Sequence, residues 1–283
     1  MNFSKIKLIR ILQLSATTVF LGRAWQYLYW DAPFRALLWD ESLMQQPIEK
    51  LFGWSWERYV SSPEVEAAIQ YLINGVGVLY LFAALAVYLS PKFPRLSKGL
   101  LFLGGINLII LAILETKTHF FFASQFFEYS LQFSVPFFLL IYWKHRQWNT
   151  ALLNGMKVAI ALVFISHGLF AIGFYPRPGY FVEMVMNVVG LNQRQAIQFL
   201  NIAGILDFVV SIAIFLPHRL AKPALFYMVF WGFCTTMARI AANFYPELWQ
   251  YTLSRWVHES LFRFPHFLIP LLVLIWAEKQ NKL

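Results

Sequence analysis

Ala68-Ile-Gln-Tyr-Leu72 and Ala196-Ile-Gln-Phe-Leu200 read alike, and each opens a long apolar segment. The correspondence continues through neighbouring segments in the same order, with the offset changing only in loops. Val19-Phe20 with Arg23 falls on Val163-Phe164 with His167. Leu101-Phe102 with Glu115 falls on Leu225-Phe226 with Arg239, and Ser130-Leu131 before Pro136 falls near Ser260-Leu261 before Pro265. A fixed-order internal repeat predicts a duplicated unit, with copies at residues 1–147 and 148–283. Function is then sought where the polar residues of the two copies differ.

Composition sets the environment. The chain is 59% hydrophobic and 19% aromatic but only 13% charged, with 29 phenylalanines. A soluble domain needs more charge to cover its surface, so this composition reads as a membrane protein. A spanning helix takes about 20 apolar residues. Eight segments qualify, near residues 10–30, 67–89, 99–117, 120–143, 152–174, 196–216, 223–244 and 256–277. They are too long and too uniformly apolar for barrel strands, which alternate with polar residues. The expected fold is therefore all-α, with eight transmembrane helices arranged as two parallel four-helix repeats.

The net charge of +9 invites a nucleic-acid reading, but the distribution of the charges opposes it. Lys5, Lys7 and Arg10 precede the first segment, and Lys92, Arg95 and Lys98 lie between the second and third. Lys144 and Arg146 follow the fourth, Arg219 and Lys222 the sixth, and Lys279 and Lys282 the eighth. The alternate connections hold most acids, among them Asp31, Asp40, Glu41, Glu64, Glu66 and Glu247. The positive-inside rule places both termini in the cytoplasm, as expected for a cell-membrane protein. The first apolar run lacks a small-residue cleavage site and reads as a signal anchor. The one cysteine, Cys234, offers no partner for intramolecular disulfide exchange.

The longest outer connection, residues 31–65, interleaves aromatic and leucine residues with charges. Pro33 and Pro47 each mark a helix start, followed by apolar residues at helical spacing, Phe34, Leu37 and Leu38 or Ile48, Leu51 and Phe52. Two short interfacial helices are expected on the outer surface. Tyr175-Pro-Arg-Pro-Gly179 forces a turn in the second copy, and residues 180–190 form another such helix. Trp30, Trp39, Trp54, Trp56, Trp249 and Trp256 fall at the outer interface, as aromatic belts do. Four spans return the chain to its starting side, so the copies are related by an axis along the membrane normal.

An ionisable group inside a span costs about 2.5–3.5 kcal/mol on insertion scales and needs a partner or a cavity. Arg23, Glu115, Lys117, Glu128, His167, Asp207, Arg239 and Glu259 meet this description. In the first copy Arg23 is expected to pair with Glu115, with Asn74 and Gln70 supplying hydrogen bonds. In the second copy His167 and Arg239 replace that pair, and Asp207 or Glu259 supplies the anion. Ala203, Gly204, Asp207 and Ser211 form a small, polar helix face. An imidazole, a carboxylate and a fixed cation make the second copy the better site candidate; interhelical stapling is the alternative role.

Other chemistries lack their signatures. His258 and His266 are eight residues apart, about 12 Å along one continuous helix, too far to ligate one ion. Glu115 and His119 can share a face, but there is no HExxH, no CxxCH and no phosphate-binding glycine loop. No metal site is expected, and haem is disfavoured for the same reason.

One stretch carries a family likeness. Val158-Ala-Ile-Ala-Leu-Val-Phe-Ile-Ser-His-Gly-Leu169, then Phe181-Val-Glu-Met184 and Val189-Gly-Leu191, resembles the first helix and following turn of the DoxX-like family of four-helix membrane proteins. The likeness centres on residues 152–216; in the first copy Arg23-Ala24 replaces the His-Gly. The resemblance implies a four-helix unit, here doubled, and some members of that family are linked to quinone-coupled oxidation. On this basis the chain is expected to be a quinone-linked oxidoreductase component with a polar pocket near the outer leaflet. The alternative is a non-catalytic membrane protein that binds, transports or scaffolds a lipid or small anion. The ligand-binding candidates are His167, Asp207, Arg239, Glu259, Arg23, Glu115 and Asn74.

Overall fold

A computed structural model describes residues 3–280, with side chains from residue 7 to residue 278. Lys5, Lys279 and Lys282, counted among the basic clusters, lie outside the described side chains. The described residues are helical and contain no strand. The helices are α1 Phe3–Tyr29, α2 Arg35–Leu38, α3 Glu41–Phe52, α4 Trp56–Ser61, α5 Pro63–Leu89, α6 Pro94–Thr118 and α7 Ala123–Glu128. They continue as α8 Ser130–His145, α9 Thr150–Ala171, α10 Gly179–Val189, α11 Gln193–Ala213, α12 His218–Ala242, α13 Trp249–Leu261 and α14 Pro265–Gln280. A 3-10 turn, Pro246–Leu248, precedes α13.

Six helical stretches are long and apolar enough to cross a membrane: α5, α6, α9, α11, α12, and Pro246–Glu278, which contains α13 and α14. Leu85, Phe102, Ile113, Ile202, Ile212, Phe226 and Phe230 point outward from them, a surface suited to lipid and not to water. The chain is a multi-pass membrane protein. Two of the eight expected segments fall outside this set. α1 is long enough, but Gln13, Ser15, Arg23 and Gln26 interrupt its apolar character. α8 has 16 residues, about 24 Å of helix at 1.5 Å per residue.

Local chemistry sets the helix starts. Ser62 caps α5 by accepting from the Val65 amide, with Pro63 at the first helical position. Asn149 accepts from the Leu152 amide at 2.8 Å, and Asn192 with Gln195 forms a reciprocal capping box at the start of α11. The segments expected at 120–143 and 256–277 are each broken instead of continuous. The first breaks at Tyr129, between α7 and α8, and Phe120 and Phe121 before α7 adopt left-handed backbone. The second breaks at Phe262–Phe264, where Pro265 lacks the N–H that would extend the ladder from α13.

α1, α5, α6 and α8 pack in a ring, α1 on α5, α5 on α6, α6 on α8 and α8 back on α1. α9, α11, α12 and α14 pack in the same order. The rings join reciprocally: α13 and α14 lie against α1, while α7 and α8 lie against α9. One apolar core, including Phe20, Tyr80, Leu108, Leu139, Ile160 and Leu272, runs through both rings. A smaller cluster, with Phe170, Phe181, Val185 and Leu200, seats α10.

The connection between α1 and α5 lies over the end of the bundle called here the loop end. Its helix α3 does not begin at Pro47. Asp40 accepts from the Leu43 amide and starts α3 at Glu41, which leaves Pro47 inside the helix. Ile48 is buried, while Leu43, Leu51 and Phe52 are exposed, as in a helix lying in an interface. Lys117, near the end of α6, holds this connection down through Asp40.

The hydrogen bonds from Lys117 and Ser42 hold the Asp40 carboxyl down to about 2, against about 3.9 for a free aspartate. The folded value lies below the unfolded one, so this contact stabilises fully above about pH 4 and is lost as pH falls towards 2. Deuterium exchange over residues 41–52 is expected to stay slow at pH 5 and to accelerate between pH 4 and 2. Asp40→Asn keeps the cap but removes the ion pair, and should reproduce the fast exchange at neutral pH. Unchanged exchange in that variant would show that Lys117 does not tether the connection.

Candidate functional site

The second ring opens where the first is closed. α5 and α6 pack along much of their length, whereas α11 and α12 diverge and α10 lies against both. The result is a slot of about 360 Å³. Its walls are apolar: Val163, Phe164, Phe181, Val185, Leu200 and Trp231, with the half-exposed Val188, Val189 and Phe230 also on the lining. Gly204 lets α11 pack tightly on α9, since an added Cβ would meet the Gly168 carbonyl oxygen at 3.0 Å, and the small side chain of Ala203 beside it lines the slot.

The polar lining comes from four helices. His167 projects from α9, Asp207 from α11 and Arg239 from α12, while Arg263 lies in the break before α14 and His266 in the first turn of α14. His167 Nδ1 lies 3.2 Å from Glu128 Oε1, so a carboxylate at the end of α7 holds the imidazole. His266 stands 5.7 Å from His167, ring centre to ring centre. Arg239 pairs with Glu259 at 3.0 Å, and Arg263 reaches the same carboxylate oxygen at 3.3 Å. Arg239 also lies over the Tyr180 ring. Asp207 accepts from the Tyr227 hydroxyl at 3.2 Å, so Glu259 and not Asp207 is the anion beside Arg239.

Two polar atoms on this lining lack partners. Arg239 Nε and His266 Nε2 are buried without a hydrogen bond among the described residues, in residues only 6% and 5% exposed. The break before α14 explains the form of the second. It turns the Arg263 carbonyl towards residue 266, where it accepts from the His266 amide at 2.9 Å and from His266 Nδ1 at 2.7 Å. A neutral imidazole that donates through Nδ1 has a bare lone pair at Nε2. The slot therefore presents one unused donor and one unused acceptor. Native interiors rarely leave such groups unpaired, because each costs about 1–3 kcal/mol.

The other expected residues assemble differently. Arg23 does not pair with Glu115: its Nε and Nη2 donate to Gln132 Oε1 at 3.1 and 2.5 Å, and its Nη1 donates to Gln26 Oε1 at 2.5 Å. Glu115 instead lies 3.9 Å from His119. Asn74 accepts from Gln70, and Gln70 accepts from Arg35, so both belong to a loop-end network with Asp31 and Glu66. Among the described residues no group of three His, Cys, Asp or Glu side chains gathers to hold a metal.

No protein-family model, no curated protein and no solved structure matches this chain. The site must be read from its own chemistry.

Three of its residues are not among the expected ligand-binding groups: Glu128, which reads in sequence as one more intramembrane charge, Arg263, and His266, whose spacing from His258 points away from a shared site. The Glu259 and Arg263 positions, four apart, carry a readable ion-pair signal. The approach of His266 to His167 depends on the break at 262–264, which no local pattern announces.

Proposed function

We propose that this protein binds a quinol-class ligand, an apolar molecule with a hydroxylated ring, in the slot, as a component of a quinone-linked redox system. The unused pair of polar atoms in a largely apolar slot carries this reading. A phenolic hydroxyl both donates and accepts, so it matches the His266 Nε2 lone pair and the Arg239 Nε–H together. The reduced, hydroxylated ring fits this pair better than the quinone, whose carbonyls only accept. Phe181, Val185 and Trp231 suit the ring and tail. His266, whose lone pair accepts from the bound hydroxyl, is the lining group placed to take its proton, and His167 stands beside it.

The two rings are the two copies of one duplicated four-helix unit of DoxX-like type, residues 1–147 and 148–283. Their matching order of packing and their reciprocal joining support that reading, as do the breaks in both fourth segments. The protein then crosses the cell membrane eight times, α1 and α8 included, with both termini cytoplasmic and the loop end outside.

Saturable binding of a short-tailed benzoquinol, near one per chain, is expected for the detergent-purified protein. Ala203→Phe fills the slot and should abolish it while the protein still unfolds cooperatively. Equal, non-saturating uptake by both proteins would mean simple partition into the micelle, and would refute the slot as a binding site.

A further inference from the structure

A second cavity, of about 640 Å³, lies at the loop end where α1 meets α13. Gln26 and Arg23 reach it from α1, and Arg255, His258 and Phe262 reach it from one face of α13 and the residue after it. Spacings of three and four place these side chains in a row on each helix.

Its arginines are unequally matched. Arg23 is only 1% exposed, yet its hydrogen bonds go to two neutral glutamine oxygens, and its guanidinium lies 3.6 Å from the centre of the Phe262 ring. Arg255 lies over Trp30 and Trp256. Neither makes an ion pair among the described residues.

Two of the three acids on the wall are engaged elsewhere, Asp31 with Arg35 and Glu259 with Arg239 and Arg263, while the third, Glu115, stands 3.9 Å from His119 and makes no ion pair with Arg23 or Arg255. His258, a residue only 2% exposed, has no hydrogen-bond partner at Nδ1 among the described residues. A buried guanidinium with only neutral partners lacks its counterion, and burial of an uncompensated charge is costly.

We propose that this cavity binds a phosphate-type oxyanion between Arg23 and Arg255, with His258 beside it. Planar guanidinium groups suit oxyanions because they donate two parallel hydrogen bonds. A lipid phosphate headgroup and a free inorganic oxyanion share this chemistry. The proposal is independent of the slot reading, since the two cavities share only Arg263 on their linings.

Unfolding temperature, read in phospholipid-free micelles, separates the sources when inorganic phosphate, phosphatidylglycerol or diacylglycerol is titrated. A saturable rise with phosphate assigns a free oxyanion. A rise with phosphatidylglycerol, but not with phosphate or the phosphate-free diacylglycerol, assigns the headgroup. In either case Arg255→Gln, a change at a half-buried residue, should raise the half-saturating concentration at least about tenfold. Arg23→Gln should do the same where it folds, and Ala203→Phe should leave the response intact. No response to either phosphate-bearing probe, or an equal response in Arg255→Gln, would overturn the proposal.

Discussion

Glu259→Ala is expected to destabilise the protein by about 3–5 kcal/mol, the usual result of removing one partner of a buried ion pair. Among the described residues Glu259 alone bridges Arg239 and Arg263, both on the slot lining. Its loss leaves two guanidinium groups facing each other in a low-dielectric interior, where their repulsion is weakly screened. Glu259→Gln keeps an oxygen that can accept and should cost less. Combining Glu259→Ala with Arg239→Leu should recover part of the loss, because one uncompensated charge is then removed with its partner. Denaturant unfolding in mild detergent measures all three. A loss below about 1 kcal/mol for Glu259→Ala would place the carboxylate in water, where ion pairs contribute little.

His266→Leu is expected to weaken quinol binding by about 10- to 100-fold, the equivalent of one buried hydrogen bond of 1–3 kcal/mol. The apo protein should lose little stability, since the change removes an unpartnered nitrogen and leaves the Arg263 carbonyl accepting from the residue 266 amide. This split between affinity and stability distinguishes a ligand contact from a structural histidine. Loss of stability with unchanged affinity would assign His266 to packing alone.

The parts of this architecture that depend on local chemistry could be read from sequence. The apolar segments, the caps at Ser62, Asn149 and Asn192, and the amphipathic character of α10 follow from composition and spacing within a few residues. Arg239 with Glu259 was also within reach, because few anions lie at that depth. What escaped depends on partners distant in sequence. Pro47 looked like a helix start because Pro suits the first turn, but Asp40 caps the chain seven residues earlier. Arg23 was given Glu115 on the assumption that a buried cation finds an anion, whereas the fold supplies Gln26 and Gln132. His258 and His266 stand about 12 Å apart only along a continuous helix. The break at Phe262–Phe264 interrupts it, and it also turns towards His266 the carbonyl that fixes the tautomer.

The central claim is that the slot between α11 and α12 holds a quinol-class ligand. Native mass spectrometry of the gently extracted wild-type protein, with organic extraction of what it retains, tests this most directly. The account predicts one prenylated quinone or quinol per chain, absent from Ala203→Phe and depleted in His266→Leu. Retention of phospholipid alone, at equal levels in all three proteins, would contradict it.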